Sequence, residues 1–182
     1  SYNMPGFIRV SPGIDREKLA GVFRGLIQRH ESLRTSFHLI DGEPVQRIHD
    51  RGEIVIEDFD TFTGFIRPFD LSKAPLLRLG FWVADETAAY LLVDMHHIIT
   101  DGVSHNIMER DFIALYQGDA LEPPRTRYID YAVWLRRSGE DEAVTARERF
   151  WLDMFAGDMP LLDLPYDYPR PPVQDFTGAS VD

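Results

Sequence analysis

The side chains best suited to chemistry stand together in the middle of the chain: His96 and His97 in tandem, then Asp101 and Gly102 after Ile98-Ile99-Thr100, with Ser104 two residues further on. Imidazole is the side chain that exchanges protons near neutral pH, so a histidine here is a candidate base, acid or metal ligand. A metal site fits the spacing poorly. Adjacent residues on a strand point to opposite faces and do not converge on one ion, unlike an i, i+4 pair on a helix. Ser104 is a weak candidate nucleophile, because Gly102-Val103-Ser104-His105-Asn106 lacks the second glycine of a hydrolase elbow. The chain has no cysteine, which removes disulfides, thiolate ligands and a thiol nucleophile together.

The elements that must position these residues follow from periodicity. Leu76 to Val83 and Ala88 to Met95 are β-rich runs separated by Ala84-Asp85-Glu86-Thr87, and they predict two neighbouring antiparallel strands. On the second, Tyr90, Leu92, Asp94 and His96 share one face, and Leu91, Val93, Met95 and His97 the other. If that strand continues to 97, His97 emerges on the greasier face, where shielding from water suits a proton acceptor, and His96 keeps more polar company. The plainer reading makes both imidazoles hydrogen-bonded groups at a sheet end. After Gly102 the period changes, and Ile107, Met108, Phe112, Leu115 and Tyr116 form a helical stripe ending at Gly118. Asp101 therefore stands where a helix needs an N-cap. Its alternative is an ion pair steadying the loop, with Arg29 or Arg34 as partner. Gly102 is either a turn glycine or a point of close ligand approach.

Elsewhere, Phe7 to Val10 reads as a strand, and Asp15 caps a helix over residues 16 to 31 whose apolar face is Leu19, Val22, Phe23, Leu26 and Ile27. Thr35 to Ile40 and Pro44 to His49 flank Asp41-Gly42 as a β-hairpin, and Glu53 to Asp58 adds a further strand. Residues 128 to 137 and 141 to 156 read as helices. Prolines 160, 165, 169, 171 and 172 then impose an extended connector. His30, His38, His49 and His105 are taken as surface or hairpin residues.

The bulk properties set limits. With 182 residues, 44% of them hydrophobic, the chain can bury a core of about one domain. A net charge of −11 without a basic stripe argues against a nucleic-acid backbone as partner. The longest apolar run is too short for a bilayer span, so a cytoplasmic protein with no membrane partner is expected. Both ends read as continuing into a longer chain.

The run His96-His97-Ile98-Ile99-Thr100-Asp101-Gly102 resembles the HHxxxDG signature of condensation domains of nonribosomal peptide synthetases. Four further stretches agree in order and approximate spacing: Tyr2-Asn3-Met4-Pro5, Arg29 through Phe37 (RHExLRTxF), Tyr128 through Trp134 (YxDYAVW), and Leu164 through Pro171. The resemblance implies an α/β (α+β sandwich) fold, the amino-terminal lobe of a chloramphenicol-acetyltransferase-like pair, with a mixed, largely antiparallel sheet packed against helices. It places that lobe at residues 1–160 and a connector toward a missing carboxy-terminal lobe at 161–182. It also implies amide-bond formation between thioesters held on the phosphopantetheine arms of donor and acceptor peptidyl carrier proteins, beside an adenylation domain. No directly bound cofactor and no metal is expected. His97 matches the catalytic histidine, acting as base or stabilising the charged intermediate. His96, Asp101, Gly102, Arg29 and Arg34 are implied as motif and structural support, with Asp101 pairing an arginine of the second motif. Gly102, Val103 and Ser104 are implied at the substrate tunnel, Val103 standing where many relatives carry Trp. The rivals are an epimerisation domain, a CoA-dependent acyltransferase and a noncatalytic lobe that docks carrier proteins. The isolated fragment is expected to be inactive.

Overall fold

The structure, a computed structural model, describes residues 2–62, 64–138, 142–159, 163–169 and 171–173. Most of the expected connector lies outside the described residues. The chain divides into two compact units, Ser1–Val133 and Trp134–Asp182.

The first unit is built on a four-stranded sheet. Strands β1 (Asn3–Val10), β4 (Ile56–Phe59), β5 (Leu77–Val83) and β6 (Ala89–His96) lie in the order β1-β6-β5-β4. β6 runs antiparallel to both β1 and β5, and only the β4–β5 pair is parallel. The sheet is thus mixed and largely antiparallel. Two more strands, β2 (Thr35–Ile40) and β3 (Glu43–Ile48), form a separate hairpin. Its two turn residues, Asp41 and Gly42, both have positive φ (52° and 83°), the condition for a two-residue hairpin loop matched to strand twist.

Helix α1 (Arg16–Arg29) begins at Asp15, whose carboxylate accepts from the Lys18 N–H at 2.9 Å. Its stripe of Leu19, Val22, Phe23, Leu26 and Ile27 is buried against Leu77, Leu79, Leu91 and Met95 of the sheet. Fully burying side chains of this kind contributes about 1.5–3 kcal/mol each, which makes this layer the main source of cohesion in the unit. Helix α2 (Gly102–Gln117) adds Met108, Phe112, Leu115 and Tyr116 to the same core. The opposite sheet face is covered by the chain around Phe65, which is completely buried; a Cβ at Gly80 would meet its ring at 2.9 Å, so only glycine admits that close approach.

Helices α3 (Tyr128–Ser138) and α4 (Glu142–Met154) follow, and the boundary between the units falls within α3. Phe150, Trp151 and Met154 of α4 and Phe155 just after it are about half exposed, with Trp151 and Phe155 stacked at 5.9 Å.

Candidate active site

β6 ends at His96, and the alternation of faces ends with it. The His96 N–H donates to Leu76 O at 3.0 Å, the Ile99 N–H donates back to His96 O at 3.1 Å, and the chain turns. Ile99 and Thr100 are buried and anchor the turn, leaving His97 and Ile98 in solvent. The expectation that His97 lies on a shielded apolar face is therefore corrected, since the residue belongs to the turn and not to the strand. Its backbone is nonetheless pinned: the His97 N–H donates to Tyr2 O at 2.7 Å.

The two histidines differ in what their rings do. His96 Nδ1 accepts from the Ile98 N–H at 3.0 Å, which puts the proton of the neutral ring on Nε2. Its ring is half-buried, edge-on to Phe69 at 6.2 Å, and burial is the foremost cause holding it below the usual histidine range. The His97 ring makes no hydrogen bond among the described residues. Of the pair, it alone is both exposed and uncommitted.

Asp101 is the N-cap of α2. Its Oδ1 accepts from the Ser104 N–H at 2.8 Å and from Ser104 Oγ at 2.7 Å, and those bonds hold the carboxyl below its ordinary range. The expected ion pair of Asp101 with Arg29 or Arg34 is not formed, because both arginines are held elsewhere. Arg29 Nε donates to Asp111 Oδ2 at 2.8 Å, and its Nη1 to the Glu122 carbonyl. Arg34 bonds the His49 carbonyl and lies 3.5 Å from Glu31, closing the base of the hairpin. Gly102 opens α2 with nothing within 4 Å of where a Cβ would stand, and Val103 is 68% exposed beside it. Ser104 is occupied by the cap.

Two groups escaped the sequence reading. Asp111 is only 1% exposed, yet it gathers Arg29, Arg110 and His30, the last through Nε2 at 3.0 Å. Burial pushes its carboxyl up, but hydrogen bonds from Arg29, Arg110 and His30 outweigh that and leave it below the ordinary range. His30 is thus half-buried and bonded, not a surface residue, and burial lowers it despite the carboxylate. The second group is Asp94, completely buried and bonded to Asn3 and Arg78. Both carboxylates gave a sequence signal: Asp94 interrupts an apolar strand, and Asp111 falls on the Ile107/Met108/Phe112/Leu115 stripe of α2.

A mixed sheet packed on helices, with a histidine turn leading from its central strand into a capped helix, defines a lobe of the chloramphenicol-acetyltransferase-like fold. The crystal structure of the X-domain from teicoplanin biosynthesis has this architecture, with a TM-score of 0.78 and 26% identity over 93% of this chain and 42% of that one. The epimerization domain from the third module of tyrocidine synthetase B shares the fold, with a TM-score of 0.75 at 20% identity over 93% of this chain and 43% of that one. The chain belongs to the condensation-domain family, whose pattern it matches over residues 1–182. Gramicidin S synthase 2 of Brevibacillus brevis is 44% identical across the whole chain, which spans 4% of that protein's length.

Proposed function

We propose that this chain is the amino-terminal lobe of a condensation domain that forms an amide bond between two carrier-bound thioesters in nonribosomal peptide synthesis, with His97 as its reacting histidine. The observation that carries the reading is the unequal state of the two imidazoles: His96 Nδ1 accepts from the turn, and the His97 ring, with no hydrogen bond among the described residues, faces solvent on a pinned backbone. The acceptor amine attacks the donor thioester carbonyl, the C–N bond forms, and the tetrahedral intermediate collapses with loss of the carrier thiolate. A free α-amine has a pKa of ~7.7, so roughly one in six is already neutral near pH 7, and the proton transfer left to the site comes after attack. His97 takes that proton or holds the charged intermediate. Holding two tethered substrates end to end supplies rate before any proton moves. The open space at Gly102 suits the passage of a pantetheine arm. A second lobe, carrier proteins and a neighbouring adenylation domain complete this proposal, and the lobe alone is expected to be inactive.

The test measures carrier-bound dipeptide formed by the full-length protein and its H97A and H96A variants. A loss on the order of 100-fold or more is expected for H97A. Product formation by H97A at the unaltered rate would overturn the assignment.

A further inference from the structure

The early Tyr2-Asn3-Met4-Pro5 stretch has no part in the proposed chemistry, yet it stands against the histidine turn. Asn3 pairs with His96 across β1 and β6, and the residue before it gives its carbonyl to the His97 N–H. The Asn3 Nδ2 donates to Asp94 Oδ2 at 2.6 Å and to Arg67 O at 3.0 Å. Arg78 Nη1 reaches the same Asp94 oxygen at 3.0 Å, together with the carbonyls of Phe65 and Arg67. One buried carboxylate thus joins β1, β5, β6 and the 65–67 segment directly behind the turn.

Cohesion alone does not account for this choice. A buried charged network is commonly no more stable than an apolar replacement of equal volume, whereas it permits fewer arrangements. Here the second oxygen, Asp94 Oδ1, is buried without a hydrogen-bond partner among the described residues, a further cost an apolar residue would avoid. What the network does provide is register at a weak place. β1 is an edge strand, exposed from Pro5 to Arg9, and Tyr2, which precedes its half-buried first residues Asn3 and Met4, is 72% exposed. Strand ends of this kind open easily unless something ties them down.

Resting on the condensation reading above, the geometry points to Asn3 and Asp94 as a positioning pair: by tying down the start of β1 they keep the Tyr2 carbonyl on the His97 N–H, and so hold His97 where it reacts. Neither residue touches substrate. The pair acts through the backbone of the turn.

The experiment uses the full-length protein with N3A, the isosteric N3D, which sets a second carboxylate against Asp94, and the milder N3S. Hydrogen–deuterium exchange at the His97 amide is read beside kcat and KM for both carrier-bound substrates. V22A, a core truncation in α1, serves as a control for general loosening. The Asn3 variants are expected to speed exchange at His97 and to lower kcat on the order of 10- to 100-fold with KM roughly unchanged, because a small misplacement of a reacting group is felt in the chemical step. V22A is expected to lower the unfolding midpoint without either effect. If N3D does not fold, N3A and N3S decide by the same readings. Unchanged His97 exchange with full kcat in the Asn3 variants would overturn the positioning role, as would an equal fall in kcat for V22A. A fully active H97A protein would instead sink the role given to His97 in the condensation reading, leaving the exchange measurement to judge the tie between Asn3 and the turn.

Discussion

The cap and the interior of helix α2 treat a carboxylate in opposite ways. At the start of α2, Asp101 lies in solvent and its carboxylate accepts from Ser104, three residues away. Ten residues on, Asp111 is buried among three cationic or ionisable partners, two of them from the end of α1. The first arrangement is local and needs little from the rest of the fold; the second joins elements about 80 residues apart in sequence. The difference separates what holds the site up from what shapes the site. The charge that locks α1 to α2 stands away from the histidine turn, and the aspartate of the turn works as a helix cap.

The largest effect that tests this contrast is D111A. Removing the carboxylate strands Arg29, whose side chain is only 17% exposed, and the loss is expected to be about 3–5 kcal/mol in denaturant unfolding. A double-mutant cycle sharpens the point. R29A should be strongly non-additive with D111A and additive with D101A, since only the first pair is in contact. Coupling between Arg29 and Asp101 would restore the ion pair expected from the sequence and break the contrast.

Next in size is the response to acid. His30 lies below its ordinary value of 6.5 because burial outweighs its bond to Asp111, with Arg29 and Arg110 also disfavouring its charge. The unfolded chain therefore takes up a proton near pH 6.5 that the native state refuses, so stability falls as pH drops through 6.5 and levels off below the native pKa. Asp111 adds a second decline at lower pH: its contribution is complete above the free carboxylate range and is lost as pH falls through its depressed native pKa. In H30Q, which keeps a donor toward Asp111, the decline between pH 7 and 5 should flatten. An unaltered slope would place His30 outside the linkage.

These expectations also mark where sequence reading runs out. Spacing foretold α1 with its Asp15 cap, the Asp41-Gly42 hairpin, the β5–β6 pair and α2 as far as Gly118, because each is written in local periodicity and turn chemistry. The position of the histidines at a strand-to-helix junction was legible for the same reason. Which arginine meets which aspartate was not, since Asp101 and Asp111 are both reachable from Arg29 until the crossing of α1 and α2 is known. The face of His97 was misread because strand alternation carries no information about the residue at which the strand stops. Asp94 was visible as a charge in an apolar strand, but its partner Asn3 lies 91 residues away and only the sheet order brings it near.

The smaller stability effects fall at the turn itself. D101A removes a cap exposed to solvent and should lower the midpoint by clearly less than D111A, with no dependence on residue 29.

Smallest for folding is G102A. The backbone of Gly102 is not in the left-handed region, and an added Cβ meets nothing within 4 Å, so no strain or clash opposes the substitution. Alanine also removes the conformational freedom that glycine retains in the unfolded chain, so the expected change is neutral or a gain of up to about 1 kcal/mol. Folding thus places no demand for glycine at this position. If the open space is a passage for a tethered substrate, the larger G102L should keep its unfolding midpoint and still lose condensation activity, with the loss increasing with side-chain size. Turnover of carrier-bound substrates by G102L at the unaltered rate would remove Gly102 from the substrate path and leave it a turn residue.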